Sequence, residues 1–153
     1  MTEPVSPVAF HTGVPDPAEH ALRLTRKALA LGSRVLVAGR GHEMARLDEQ
    51  LWVAEPGSFM PHVRWTAQDA STRVLRAPVW LWAPDDEELK SAANWPQDRD
   101  VLINLGLSLP IHAAQFAKVI EVVADQPEAK AAGQARWRSW RAQGIQPAHH
   151  AFS

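Results

Sequence analysis

A basic stretch near the C-terminus carries two tryptophans, and its residue types suggest binding chemistry more directly than any other segment. No acidic residue lies between positions 129 and 143, and the basic and aromatic side chains there are Lys130, Arg136, Trp137, Arg138, Trp140 and Arg141. Helical spacing builds one broad face from Lys130, Gln134, Trp137, Arg138 and Arg141. Most such faces are simply solvated, but this one also suits a ligand that is both acidic and apolar, such as single-stranded nucleic acid or an acidic peptide.

A second aromatic pair, Trp52 and Phe59, flanks the turn Pro56-Gly57. A tryptophan at the end of an amphipathic helix usually packs into the core. A tryptophan and a phenylalanine on either side of a turn can instead form the walls of a shallow pocket. The sequence leaves both interpretations open.

The segment Gly39-Arg40-Gly41 follows a short apolar run, as the glycines of a dinucleotide-binding turn do. That motif needs glycine or alanine at its last position, where this chain has Met44, and a methionine would obstruct close packing of helix and strand. No P-loop sequence occurs. We therefore expect a structural turn without a bound nucleotide.

Carboxylates and histidines give little support for catalysis. The acidic run 85–88 precedes Lys90, but a metal-dependent nuclease needs its carboxylates on two strands, so a solvated acidic surface is expected. The seven histidines are scattered without the spacing of metal ligands, and the chain has no cysteine. We expect no metal site, no cofactor and no catalytic residue.

Length and composition are typical of one soluble globular domain, with 153 residues, 46% of them apolar and 22% charged. No apolar run is long enough to cross a membrane, and the N-terminus lacks a secretion signal, so a cytoplasmic protein is expected. A formal charge of -1 gives no general attraction to nucleic acid. We expect a single domain over residues 1–153, with residues 1–15 and 146–153 as loose ends.

Strand and helix patterns alternate along the chain and must position these side chains. A helix should begin at Asp16-Pro17 with Glu19 in its first turn and end at Gly32. Further helices are predicted over residues 43–54 and 125–143. Strands are predicted over residues 34–38, 79–82, 101–105 and 119–123, with residues 8–10 as an edge strand. This alternation predicts an α/β fold with a mostly parallel sheet flanked by helices.

Five ordered segments resemble the chi subunit family of bacterial DNA polymerase III. They are RLDEQLW (46–52), GSFMPH (57–62), RDVLINL (99–105), Phe116 with VIEVV (119–123), and RWRSWRAQGI (136–145). The likeness extends from about residue 18 to residue 145. No single segment is decisive, but their order and spacing in a chain of this length are specific.

The resemblance implies a Rossmann-like domain without a nucleotide and a role without catalysis. Chi proteins bind the psi subunit of the clamp-loader complex and, separately, the acidic C-terminal tail of single-stranded DNA-binding protein (SSB). They thereby link the replicase to coated template, so contact with DNA is indirect. An SSB tail ends in acidic residues and a terminal phenylalanine with its free carboxylate, and its receptor needs an apolar slot with cations around the rim.

Carried over position by position, the resemblance places Trp52, Phe59, Val123 and Trp137 in that slot and Lys130 at its rim. Other family members can carry tyrosine at the position of Trp137. Gln134 stands where a chi protein can place an arginine, so Arg138 or Arg141 must compensate or the affinity for the tail is reduced. For psi, the resemblance implies a separate apolar surface, for which the apolar segment containing Leu107, Leu109 and Ile111 is our prediction.

Two other interpretations stay open at this stage. The basic helix could bind single-stranded nucleic acid directly, although the near-neutral charge argues against this. The chain could also be an α/β enzyme with a metal or nucleotide site that forms only by long-range convergence. Binding of a labelled oligonucleotide without SSB, or metal or nucleotide in the purified protein, would favour these alternatives.

Overall fold

A computed structural model describes residues 6–53, 61–65, 77–90, 99–108 and 115–152. Its strands are β1 (Val8–Val14), β2 (Val35–Ala38), β3 (His62–Arg64), β4 (Val79–Trp82), β5 (Val101–Asn104), β6 (Lys118–Ala124) and β7 (Ala148–Ala151). Its helices are α1 (Pro17–Ala30), α2 (Gly41–Val53), the short α3 (Asp86–Lys90) and α4 (Pro127–Ala142). The predicted strands at 34–38, 79–82, 101–105 and 119–123 and the three predicted helices are therefore confirmed to within two residues at their ends.

The seven described strands form one sheet in the order β3-β4-β2-β5-β6-β1-β7, and every neighbouring pair is parallel. Every residue of β2, β4 and β5 is buried, because helices cover both faces of the central strands. The α/β, Rossmann-like fold class is confirmed. The sequence predicted a mostly parallel sheet, and among the described strands every neighbouring pair is parallel.

The sequence signals at α1 act as predicted. The Asp16 carboxylate accepts a hydrogen bond from the backbone N–H of Glu19 at 3.3 Å, and Pro17 occupies the first turn. The helix ends just before Gly32, whose φ of 79° lies in the left-handed region that favours glycine. These signals are local, which is why they could be interpreted without the rest of the fold.

Within the described residues 6–15 and 146–152, the structure corrects the predictions of loose ends at 1–15 and 146–153 and of an edge strand at 8–10. β1 lies inside the sheet between β6 and β7, and its Val8, Phe10 and Val14 are buried. β7 pairs with β1 over residues 148–151. The sequence AHHA of β7 has no strand pattern of its own, so the strand forms through its pairing with β1.

The sheet separates two apolar clusters. On one face α1 and α2 pack against β2, β4, β5 and β6, with Met44, Leu47 and Leu51 fully buried. On the other face α4 packs against Phe10, Val119 and Val123. The inward side of α4 consists of Gly133, Arg136 and Trp140, as helical spacing predicts.

A buried polar network joins β5, β6 and α4 within the second cluster. Glu121 of β6 is fully buried and accepts three hydrogen bonds, from Asn104 Nδ2 at 2.7 Å, Arg136 Nε at 3.0 Å and Trp140 Nε1 at 2.8 Å. The Arg136 side chain is itself only 7% exposed. Each buried charge is thus paired and hydrogen-bonded, which is the condition under which the interior tolerates charge.

Besides β7, two further described elements were not predicted. β3 has only three residues and adds to the outer side of β4. α3 falls in the acidic run, where Asp86 and Glu87 are exposed as expected but Leu89 is buried against the core. Both elements are too short to show a periodic pattern, so their formation depends on tertiary packing.

Candidate functional site

A pocket of about 600 Å³ lies between α4 and the strands β6, β1 and β7. We call it the α4 pocket; it is lined by Phe10, Thr12, Gly13, Val123, Lys130, Gly133, Gln134, Trp137, Arg138, His149, Ala151 and Phe152. Its floor is apolar because alternate residues of β1 and β6 turn toward α4. Its size is that of a small-ligand or side-chain site.

Close contact between α4 and β6 fixes one end of the α4 pocket. A Cβ on Gly133 would lie 2.9 Å from Val123 Cγ2, nearer than side-chain atoms normally approach. Glycine at this position therefore lets the helix rest directly on Val123. The residues one turn further along α4 are thereby held at a defined height above the sheet.

Trp137 forms the aromatic wall of the α4 pocket. Its ring contacts Phe10 edge-on at 5.1 Å between centroids and stands 6.3 Å from the ring of His149 on β7. His149 is positioned in turn by Thr12, whose Oγ1 lies 2.7 Å from His149 Nε2. Trp137 is half-buried, so one part of the ring is fixed by packing while another part faces the pocket.

The charged side chains that line the α4 pocket are both positive. Lys130 and Arg138 are exposed at its rim, and none of the described residues that line it is acidic. Lys130 Nζ does lie 3.2 Å from Asp125 Oδ1, but both side chains are more than half exposed and such a pair is weak. An apolar floor under a cationic rim suits an anionic ligand that carries an apolar group.

Five of the eight residues predicted for the slot line this pocket: Val123, Lys130, Gln134, Trp137 and Arg138. Arg141 is exposed one turn further along α4 and is not among the lining residues. Sequence reasoning missed seven of the lining residues: Gly133 on α4, Phe10, Thr12 and Gly13 on β1, His149 and Ala151 on β7, and Phe152 just beyond β7. Only Phe10 had a usable signal, since it belongs to a short apolar run.

Trp52 does not line the α4 pocket, so the structure does not bring it together with Val123 and Trp137. It lies at the end of α2, on the opposite face of the sheet, and its ring contacts that of His62 in β3 at 5.4 Å. β3 and β7 are the two end strands of the described sheet, so the whole sheet separates Trp52 from Trp137. Phe59 lies outside the described residues.

The residues predicted to contact psi are only partly described. Leu107 is partly buried and packs on the core, and its backbone makes two hydrogen bonds with the Asn104 side chain at 2.9 Å each. Leu109 and Ile111 lie outside the described residues. Most of the apolar surface of Leu107 is therefore already buried against the core.

A second crevice of about 810 Å³ opens at the carboxyl ends of β5 and β6, where Rossmann-like folds bind nucleotides. The side chain of Glu43 lines this crevice at the start of α2. Glu43 Oε1 accepts the backbone N–H of Arg40 at 3.0 Å, which puts a carboxylate at the start of α2. A Cβ on Gly39 would lie 2.9 Å from Met44 Cε, so the methionine occupies the close-packing position as expected.

Histidines from three elements cluster behind β7, on the face opposite the α4 pocket. His11 Nδ1 lies 2.8 Å from His20 Nε2, and the His11 ring contacts those of His150 and Phe152. Burial, followed by the charges of His20, His150, Lys118 and Lys27, lowers the pKa of His11 to about 4. Burial and the nearby Arg23 also lower the pKa of His20.

The depressed pKa of His11 predicts a loss of stability in mild acid. The unfolded chain binds this proton near pH 6.5 and the folded chain only near pH 4, so stability is complete above about pH 6.5 and falls as the pH decreases toward 4. Discounted for partial exposure, the loss is about 1–2 kcal/mol. Urea unfolding at pH 7.5 and pH 5 measures it. The variant His11→Phe should lose less stability over this interval, and an equal loss would contradict the assignment.

Parallel strands and flanking helices define a Rossmann-like α/β protein whose α4 pocket lies on one face of the sheet beneath the last helix. No group of three or more potential metal ligands, and no helix long and apolar enough to span a membrane, occurs within the described ranges.

The chain belongs to the DNA polymerase III chi subunit family. The family model described as DNA polymerase III chi subunit, HolC, matches residues 5–148. The DNA polymerase III subunit chi of Pseudomonas aeruginosa is 31% identical over 125 residues, covering 81% of this chain and 78% of the relative. The subunit chi of Escherichia coli is 31% identical over 122 residues, covering 74% and 71%. The protein is therefore a DNA replication accessory subunit with partners in the DNA polymerase III complex.

Proposed function

We propose that this chi subunit is a non-catalytic adaptor whose α4 pocket binds the acidic C-terminal tail of SSB. The tail's terminal phenylalanine enters the apolar floor beside Trp137. Its carboxylates lie toward the rim, near Lys130 and Arg138. A second contact with the psi subunit ties the adaptor to the clamp loader, so the polymerase complex is linked to SSB-coated template.

One observation carries this proposal: an apolar pocket with a cationic rim and no acidic residue among its described lining residues. Neutral or positive ligands gain nothing from such a rim, and a purely polar anion gains nothing from the floor. A peptide end that combines an aromatic ring with carboxylates uses both. Gln134 contributes only neutral hydrogen bonds, so Arg138 supplies the charge on this part of the rim.

For psi, the exposed apolar surface at the end of α2 is a better candidate than the predicted segment at Leu107. Trp52 is 59% exposed and the neighbouring Val53 is 72% exposed. Adjacent large apolar side chains at the surface favour a protein contact. This surface lies across the sheet from the α4 pocket, so both partners can be held at the same time.

Titration with a peptide of the SSB C-terminus, followed by tryptophan fluorescence, tests the tail-binding proposal. We expect a dissociation constant in the micromolar range, about -8 kcal/mol, and a change in emission from the ring of Trp137. The matched control is the same peptide without its terminal phenylalanine, which should bind at least tenfold more weakly. A single-stranded oligonucleotide should show very weak binding under the same conditions.

The outcomes separate the alternatives. Equal affinity for the two peptides would show that the apolar floor is not used and would contradict the proposed pocket. Tight binding of the oligonucleotide in the absence of SSB would favour direct nucleic-acid binding by α4. Loss of all peptide binding would leave psi as the remaining partner, to be tested by co-purification.

A further inference from the structure

β7 is the last strand of the described sheet, and no described strand pairs with its outer edge. It pairs with β1 on one side, and His149, His150 and Ala151 are exposed. The end strand of a sheet presents backbone N–H and C=O groups to which another extended chain can pair. The four residues of β7 include no proline that would prevent strand pairing and no acidic side chain that would repel an anionic chain.

The direction of these backbone groups follows from the pairing with β1. The N–H of Phe152 donates to Thr12 O at 2.8 Å, so this group points inward to the sheet. Backbone groups alternate between the two edges of a strand. The N–H and C=O groups of His149 and Ala151 therefore point outward, to the open edge.

The same strand is a wall of the α4 pocket. The side chains of His149 and Ala151 line it, together with Phe152 just beyond the end of β7. A peptide whose last residue lies in the pocket must leave it past this wall or past the basic rim. No carboxylate lines either exit among the described residues, so an acidic chain meets no repulsion there.

We propose that the SSB tail pairs with the outer edge of β7 as an additional strand while its terminal residue occupies the α4 pocket. This inference rests on the proposed function. The backbone of the tail exchanges hydrogen bonds with the outward groups of His149 and Ala151, which is the mode known as β-strand addition. The side chain in the pocket supplies selectivity, and the backbone pairing sets the direction in which the tail leaves the protein.

Tail peptides with N-methyl groups at alternate residues test the pairing. N-methylation removes a backbone donor, and only every second N–H of a paired strand faces its neighbour. Two peptides with complementary sets of methylated residues should therefore differ. One should bind about tenfold more weakly than the unmodified tail, and the other should stay within about twofold.

A pair of variants provides the matching test on the protein. Ala151→Pro removes an outward N–H without removing a bond to β1, whereas Ala151→Val adds similar bulk and keeps the N–H. Ala151→Pro should weaken binding of the unmodified tail at least fivefold more than Ala151→Val does. Circular dichroism and urea unfolding verify that both variants are folded.

The inference is overturned if both methylated peptides bind as tightly as the unmodified one, or if both lose the same affinity. In either case binding of the unmodified tail still supports the proposed function. Absence of binding by the unmodified tail would contradict the proposed function itself. A stable dimer that the tail peptide cannot dissociate would show that a second copy of the chain occupies the edge, and would also overturn the inference.

Discussion

Replacing Glu121 by alanine is expected to lower the free energy of unfolding by about 3–5 kcal/mol, the range found when one partner of a buried ion pair is removed. The carboxylate is fully buried and accepts hydrogen bonds from Arg136, Trp140 and Asn104. Without it the Arg136 guanidinium is a buried charge without its counter-ion. Trp140 Nε1 also loses its acceptor, at a further cost of about 1–3 kcal/mol for an unsatisfied donor. Urea denaturation followed by circular dichroism measures the loss.

Two further variants identify the cause of that loss. The double variant Glu121→Ala/Arg136→Met removes the unpaired charge as well, and should recover a substantial part of the stability. Glu49→Ala removes an exposed carboxylate on α2 and should change stability by no more than about 0.5 kcal/mol. If the double variant is as unstable as the single one, the cavity rather than the unpaired charge dominates. A loss below about 1 kcal/mol for Glu121→Ala would contradict the role of the network.

Replacing Trp137 by alanine is expected to weaken binding of the SSB tail at least thirtyfold, about 2 kcal/mol. The ring packs against Phe10 and forms the wall on which an incoming aromatic residue would rest. Its removal therefore leaves the apolar floor open to water. Isothermal titration calorimetry is the appropriate measurement, because the substitution removes the fluorescent reporter. Trp137→Tyr keeps an aromatic wall and should retain most of the affinity.

Trp52→Ala is the matched control for this prediction. It also deletes a tryptophan, but from the end of α2, across the sheet from the α4 pocket. Tail affinity should stay within about twofold, whereas co-purification with psi should decrease. An equal loss of tail affinity in both variants would restore the single slot that the sequence comparison suggested. Unchanged affinity of a folded Trp137→Ala variant would remove this residue from the site.

Local sequence signals were sufficient for most of the fold. Asp16 and Gly32 mark the ends of α1 because capping depends on residues within one turn. The apolar runs at β2, β4 and β5 predict strands buried on both faces because helices cover both sides of a parallel sheet. β7 could not be predicted in this way, since its sequence has no strand pattern of its own and the strand forms through its pairing with β1.

The candidate site was predictable where its residues share one element. Lys130, Gln134, Trp137 and Arg138 recur at helical spacing, so their common face follows from α4 alone. The resemblance to the family, carried over position by position, places Trp52 in the same slot, and a resemblance between sequences contains no distances. In the structure α2, which carries Trp52, and α4, which carries Trp137, pack on opposite faces of the sheet.

The sequence by itself determined the α/β class, the family and the basic aromatic face of the last helix, because these depend on local patterns and on ordered motifs. Only the tertiary structure decided that β1 and β7 complete the α4 pocket, that Glu121 is buried under α4, and that Trp52 faces elsewhere. The physical reason is that strand pairing and helix packing join residues more than a hundred positions apart, as for Thr12 and His149. No local pattern of residue types encodes such a contact.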